Sequence, residues 1–218
     1  MTRESFVAQL DALNRELEQM GSLVQQAVAK SVIALVTRNT QEAQAVITGD
    51  EQVNSAYGQI ESLCLGLLAL QQPMAGDLRR IAATLKVITD LERMADHAVD
   101  IAKVAVRLSG QPLAKPLVDI PAMAVLVQSM LNDAIGSFLR GNREQALAMI
   151  AKENEVDQLH RQVVEELQRL MKQHPETVDQ AVQLLFVSSA LERIGDHATN
   201  LGEWLIYRQT GERTDLNR

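Results

Sequence analysis

An all-α fold is predicted by three features of this 218-residue chain. Ala, Leu, Val, Gln and Glu dominate while aromatic residues make up only 3%, a composition that favours long helices over sheets. Apolar residues recur at three- and four-residue spacing through most of the sequence, the period of one helix face. Gly and Pro are sparse, and the interruptions of the pattern fall at only a few places, so the periodic stretches between them are long.

Those interruptions define six helices. Asn39-Thr40 ends the first, over 4–38; the second runs 41–71 and stops at Pro73; the third, 75–109, ends at Ser109-Gly110-Gln111-Pro112. The fourth, 120–140, is closed by Gly141-Asn142, the fifth, 143–173, by Pro175, and the sixth covers 176–209. The segment 111–121, with Pro112, Pro116 and Pro121, reads as a linker between an N-terminal unit, 1–110, and a C-terminal unit, 122–218.

The two units are related. At an offset of 103, Asn39, Ala43, Ala45, Ile47, Asp50 and Val53 recur as Asn142, Ala146, Ala148, Ile150, Glu153 and Val156; at an offset of 100, Leu91, Glu92, Arg93, Asp96 and His97 recur as Leu191, Glu192, Arg193, Asp196 and His197. Short loops force neighbouring helices antiparallel. The expected architecture is therefore a tandem repeat of two antiparallel three-helix bundles.

Composition narrows the function classes. At 46% hydrophobic residues the chain can build a substantial core. A net charge of −7 with a pI near 5.2 argues against nucleic-acid binding, which depends on basic patches, and leaves cations and protein surfaces as natural partners. The N-terminus, MTRESFVAQLDALN, mixes charge with apolar residues and reads as neither signal peptide nor anchor. No apolar run is expected to reach the ~20 residues of a membrane span. The single cysteine, Cys64, lies inside SLCLGLLAL and reads as a small buried hydrophobe. A soluble protein of the reducing cytoplasm fits these features.

The feature that carries chemistry is a heptapeptide found twice, LERMADH at 91–97 and LERIGDH at 191–197. Each places a glutamate four residues before an aspartate, which stacks two carboxylates on one helix face. Folding the second and third helices back at Pro73 sets Asp50 level with Asp96 and Asn54 level with Glu92. Folding about Pro175 sets Glu153 near Asp196 and Asp157 near Glu192. Each unit thus carries a potential carboxylate nest bordering the apolar face, with Asp100 one turn further along its row. Carboxylates so close must protonate, pair with a cation such as Arg93 or Lys103, or bind metal. Oxygen-only donors suit Mg²⁺, Mn²⁺, Ca²⁺ or iron better than zinc. His97 and His197, at ~100° per residue, point away from Glu92 and Glu192 and suit a helix or partner contact better than ligation of the same ion. No phosphate loop, nucleophile elbow or His-Glu-x-x-His helix is present, and the Glu-x-x-His pairs of di-iron oxidases are missing.

The two LER(M/I)(A/G)DH motifs, the preceding ALQQPMAGDLRRIAATLKVITD and the later ERIGDHATNLGEW resemble the PhoU family of phosphate-uptake regulators over essentially the whole chain. The resemblance implies two three-helix bundles and multinuclear metal clusters bound through E(D)xxxD motifs, commonly of iron, with Mn, Mg, Zn or Ca as other candidates. By position it implies ligands at Glu92, Asp96 and Asp100 in the first unit and Glu192, Asp196 and Asn200 in the second, joined by Asp50 in the first unit and by Glu153 and Asp157 in the second. Two departures matter: Asn54 stands where family members usually carry an acid, which implies weaker binding at the first cluster, and Asn200 replaces the acid found at Asp100.

The resemblance further implies a cytoplasmic negative regulator, without catalytic turnover, that links the phosphate ABC transporter ATPase to a phosphate-sensing histidine kinase. It implies a homodimer, and a membrane association made only through these partners. The competing readings are a metal-free helical scaffold and a carboxylate-metal helical-bundle enzyme.

Overall fold

The computed structural model describes residues 3–71 and 73–216. Six α-helices follow one another: α1 Arg3–Thr37, α2 Thr40–Gln71, α3 Ala75–Leu108, α4 Asp119–Arg140, α5 Arg143–Gln173 and α6 Val178–Thr210, with a 3-10 turn at Pro175–Thr177 before α6. No strand occurs among the described residues. Helices α1, α2 and α3 pack on one another, as do α4, α5 and α6, and the two sets meet through α3 against α6 and α1 against α4. Gln72 lies outside the described residues, as do Met1, Thr2, Asn217 and Arg218.

The repeat is visible in the backbone of its turns. Arg38 is left-handed, at φ 56°, and Gly141 at φ 72° holds the matching place. In both turns the next amide reaches back across the helix end, Asn39 N–H to the Ala34 carbonyl at 2.9 Å and Asn142 N–H to the Ser137 carbonyl at 3.0 Å, a left-handed helix stop. The same asparagines then cap the following helix, each side-chain oxygen accepting from a backbone amide three residues on, Glu42 and Gln145, both at 3.1 Å.

The linker is short and tied down. Gln180 of α6 donates to the Pro112 carbonyl at 3.1 Å and accepts from the Ala114 amide, Lys115 pairs with Glu166, and Leu113 and Leu117 pack against the core. Pro121 falls in the first turn of α4, where an absent N–H breaks no helical bond. Pro175 opens a 3-10 turn, so α6 starts two residues later than the predicted 176.

The core runs through both units. Leu91, Met94, Leu191 and Ile194 of the two heptapeptides are fully buried, each removing roughly 1.5–3 kcal/mol of apolar side chain from water. Contrary to expectation, two helices, Glu4–Thr37 and Asp119–Arg140, are long and apolar enough to cross a membrane by length and composition. In this fold Leu13, Leu17 and Met20 of α1 and Met123, Val127 and Met130 of α4 lie in the core instead.

Candidate metal centres at the repeated acidic motifs

Each heptapeptide lies in the middle of the third helix of its unit, where the apolar stripe buries one face and leaves the acids at its edge. Across from it lies the acid row of the second helix. The two nests so formed differ in what surrounds them.

In the second unit four carboxylates act on one another. Burial pushes the Glu153 carboxyl above its usual range, and Asp157, Asp196 and Glu192 each push it further. Burial raises Glu192 as well, with Asp157 adding and Arg193 opposing. Asp196 is pushed up to about 6, first by burial and then by Glu192 and Asp157, against the weaker pull of His197 and Arg193. Among the described residues, no Lys or Arg forms an ion pair with any of these four acids. Partly buried anions that repel one another and lack a paired cation hold their protons more tightly than usual.

The first unit is quieter. Asp50 is raised by burial, opposed by a hydrogen bond from Asn54 Nδ2 to its Oδ2 at 2.9 Å, and raised further by Asp96 and Glu51. Burial and Asp96 raise Glu92, and Arg93 opposes them. Arg93 lies between the two motif acids, 3.6 Å from Glu92 and 3.4 Å from Asp96, and Lys103 is 3.2 Å from Asp100. The amide of Asn54 thus supplies a donor where the other unit has the charge of Asp157.

The structure gathers Asp50, Glu92 and Asp96 in one nest and Glu153, Asp157, Glu192 and Asp196 in the other. Asp100 and Asn200 face elsewhere: Asp100 pairs with Lys103, and Asn200 Nδ2 donates to Asp90 at 3.1 Å. Among the described residues no three acidic, His or Cys side chains converge closely enough to hold an ion. By donor chemistry the second nest nonetheless suits a hard cation, since it offers four carboxylates and no paired base.

Sequence patterning missed Asp90. Its carboxylate, 13% exposed, accepts from His197 Nδ1 at 2.8 Å, Asn200 Nδ2 at 3.1 Å and Trp204 Nε1 at 3.2 Å, and so ties α3 to α6 through three donors. The available signal was a break in the repeat: at the offset of 100 its counterpart is Ala190. The two motif histidines meet at this interface with ring centroids 5.9 Å apart. His160 bonds the fully buried Ser188 at 2.8 Å.

A PhoU domain is matched at residues 17–105 and again at 120–205. The chain is 38% identical over 218 residues to the phosphate-specific transport system accessory protein PhoU homolog of Clostridium acetobutylicum, covering 100% of both chains. It superposes on the crystal structure of PhoU from Pseudomonas aeruginosa with a TM-score of 0.91 at 32% identity, covering 95% of this chain and 100% of that one. On the phosphate transport system regulatory protein PhoU from Streptococcus pneumoniae the TM-score is 0.90 at 32% identity, with 96% and 99% covered. Two matched domains and full-length likeness in both sequence and fold leave no part of the six-helix tandem unaccounted for, and the chain belongs to the PhoU family.

Proposed function

We propose that this chain is a regulatory accessory protein of a phosphate-specific transport system, acting by protein contact and without turnover of its own. Its full-length similarity to proteins carrying that description supports the role. As a cytoplasmic negative regulator it would engage the transporter ATPase and a phosphate-sensing histidine kinase, and hold each in its inactive state by binding that state preferentially. A homodimer is the assembly we propose for it, with the membrane approached only through these partners.

The observation that carries the metal part of the proposal is the nest of Glu153, Asp157, Glu192 and Asp196, four mutually repelling carboxylates without a paired base. These residues would hold a hard cation, iron by preference. A bound ion would neutralise their repulsion and tie α5 to α6, ordering the surface offered to a partner. In the first unit Asp50, Glu92 and Asp96 would form a weaker site, with Asp100 and Asn200 marginal to the two nests. There a metal-free reading has its own support, because Arg93 already pairs with both motif acids.

The test is capture of the purified transporter ATPase and sensor kinase by the immobilised full-length chain, with iron or manganese added and with chelator. The proposal expects saturable capture that Glu192→Gln/Asp196→Asn weakens to the level seen with chelator. Capture of neither partner under any metal condition contradicts the adaptor role. Equal capture by wild type and variant contradicts the part assigned to the metal.

A further inference from the structure

Three arginines gather where the start of α3 lies beside the end of α6. Arg79 and Arg80 stand in the second turn of α3, and Arg208 in the last turn of α6. Arg79 Nε donates to the Arg208 carbonyl at 3.4 Å and so holds the two helix ends together. The Arg208 guanidinium donates through Nη1 to the Phe138 carbonyl at 2.9 Å and lies 5.4 Å from the centre of the Phe138 ring. Burial holds Arg208 below the ordinary arginine pKa, and the charge of Arg80 lowers it further. The neighbouring charge that acts on Arg208 is a second cation, not an acid.

Arg80 is the group left over. Its Nε is buried and, among the described residues, is the one buried side-chain nitrogen or oxygen without a hydrogen-bond partner. None of the three arginines forms an ion pair among the described residues. Asp77, one turn before Arg80, and Glu212, just beyond α6, are acids close by along the chain, and neither pairs with them.

The repeat shows what is missing. At the offset of 100 the counterpart of Arg80 is Gln180, which the segment after α3 satisfies: Gln180 donates to the Pro112 carbonyl at 3.1 Å and accepts from the Ala114 amide. The segment after α6 gives Arg80 no such partner. The Glu212 carbonyl, at the place of Pro112, accepts from Thr210 Oγ1 at 3.4 Å instead. A buried donor of a charged group that finds no acceptor is costly, and an acceptor from outside the chain would remove both that cost and the repulsion between Arg80 and Arg208.

We infer that Arg79, Arg80 and Arg208 form a binding site for a free tetrahedral oxyanion of the phosphate or sulfate class, with Arg80 Nε as its innermost donor. Each guanidinium carries its five N–H donors in one plane, and Arg79 and Arg80, adjacent on a helix, leave it about 100° apart. Donors spread over several planes suit four tetrahedral oxygens better than the two coplanar oxygens of a carboxylate. Two negative charges also balance three unpaired cations better than one. Arg80 stands about three turns before Glu92 on α3, clear of the acidic nests, and the inference does not rest on the proposed transport role.

The test is calorimetric titration of the metal-stripped full-length protein with phosphate, sulfate and acetate at constant ionic strength, paired with thermal melts. The expected result is saturable binding of phosphate or sulfate at least tenfold tighter than acetate, with a rise in Tm on saturation. Arg80→Met, which keeps the length of the side chain and removes its donors, weakens that binding at least tenfold and abolishes the rise. Arg79→Ala weakens it at least threefold and keeps the test decisive if Arg80→Met fails to fold, while Arg169→Ala, on the exposed face of α5, leaves it unchanged. A water molecule at Arg80 Nε is the competing occupant, and it predicts no dependence on anion. Absence of binding in wild type, phosphate and sulfate no tighter than acetate, or equal binding by wild type and the Arg80 or Arg79 variant overturns the inference.

Discussion

The two heptapeptides differ at only two of seven positions, yet the nests around them differ in how far their acids are countered by bases and amides. In the first, Arg93 spans Glu92 and Asp96, and the Asn54 amide donates to Asp50. In the second, four acids act on one another, no base among the described residues is paired with them, and Asp196 is pushed up to about 6. The same motif on the same scaffold can therefore have its acids paired with an arginine or, among the described residues, without a paired base. The difference comes from the facing helix and from one arginine rotamer, not from the motif.

The largest stability effect should come from the group that joins the two halves. Asp90→Ala leaves the His197, Asn200 and Trp204 donors without their shared acceptor, and a loss of about 2–4 kcal/mol is expected in denaturant unfolding. A loss under ~0.5 kcal/mol would mean that the α3–α6 seam does not depend on this carboxylate.

Asp196→Asn sharpens the contrast between the nests through its pH dependence. A carboxyl whose folded pKa of about 6 lies above its ordinary value of 3.8 favours the fold below the lower value and loses that contribution as pH rises through the upper one. In metal-free protein near pH 7 the asparagine should therefore stabilise, by on the order of 1 kcal/mol once solvent screening of this half-buried group is allowed for. The gain should fade as pH falls toward about 4. Asp96→Asn, which removes an ion pair with Arg93, should give no such gain. Equal pH profiles for the two variants, measured by thermal melts in chelator, would erase the distinction between the nests.

The paired turns offer a further comparison. Arg38 holds a left-handed conformation that costs an ordinary residue roughly 1 kcal/mol, while Gly141 adopts it freely. Arg38→Gly should stabilise by about 0.5–1 kcal/mol, and Gly141→Ala should destabilise by a similar amount, since the added methyl meets only Gln209 at an ordinary 3.6 Å. Smallest is Asn54→Asp, which gives the first nest the charge of the second: about 0.5 kcal/mol of destabilisation without metal, and a gain in metal uptake.

Much of the fold was legible in the sequence because its elements are set locally. Asn39, Asn142, Pro73 and Pro175 mark turns through their own backbone and side-chain chemistry, and the helical period between them is unbroken. Which acids of the nests come together could be read from the same geometry, since distance from a tight turn fixes register along an antiparallel pair. The state of each nest could not be read, because it depends on which side chain Arg93 reaches. Asp90 was hidden for a related reason. Its three donors sit more than 100 positions away on α6, and only its replacement by Ala190 in the second repeat marked it. The apolar character of α1 and α4 was underestimated because scattered polar residues interrupt runs that still average out as strongly hydrophobic.

The most direct measurement is elemental analysis of protein purified without chelator, comparing wild type with Glu192→Gln/Asp196→Asn and with Glu92→Gln/Asp96→Asn. The account predicts bound iron or another hard cation in wild type, lost in the second-nest variant together with metal-dependent thermal stabilisation, and largely retained in the first-nest variant. Metal content unchanged by the second-nest substitutions, or a metal-free wild type whose melt does not respond to added iron, manganese or magnesium, would contradict it.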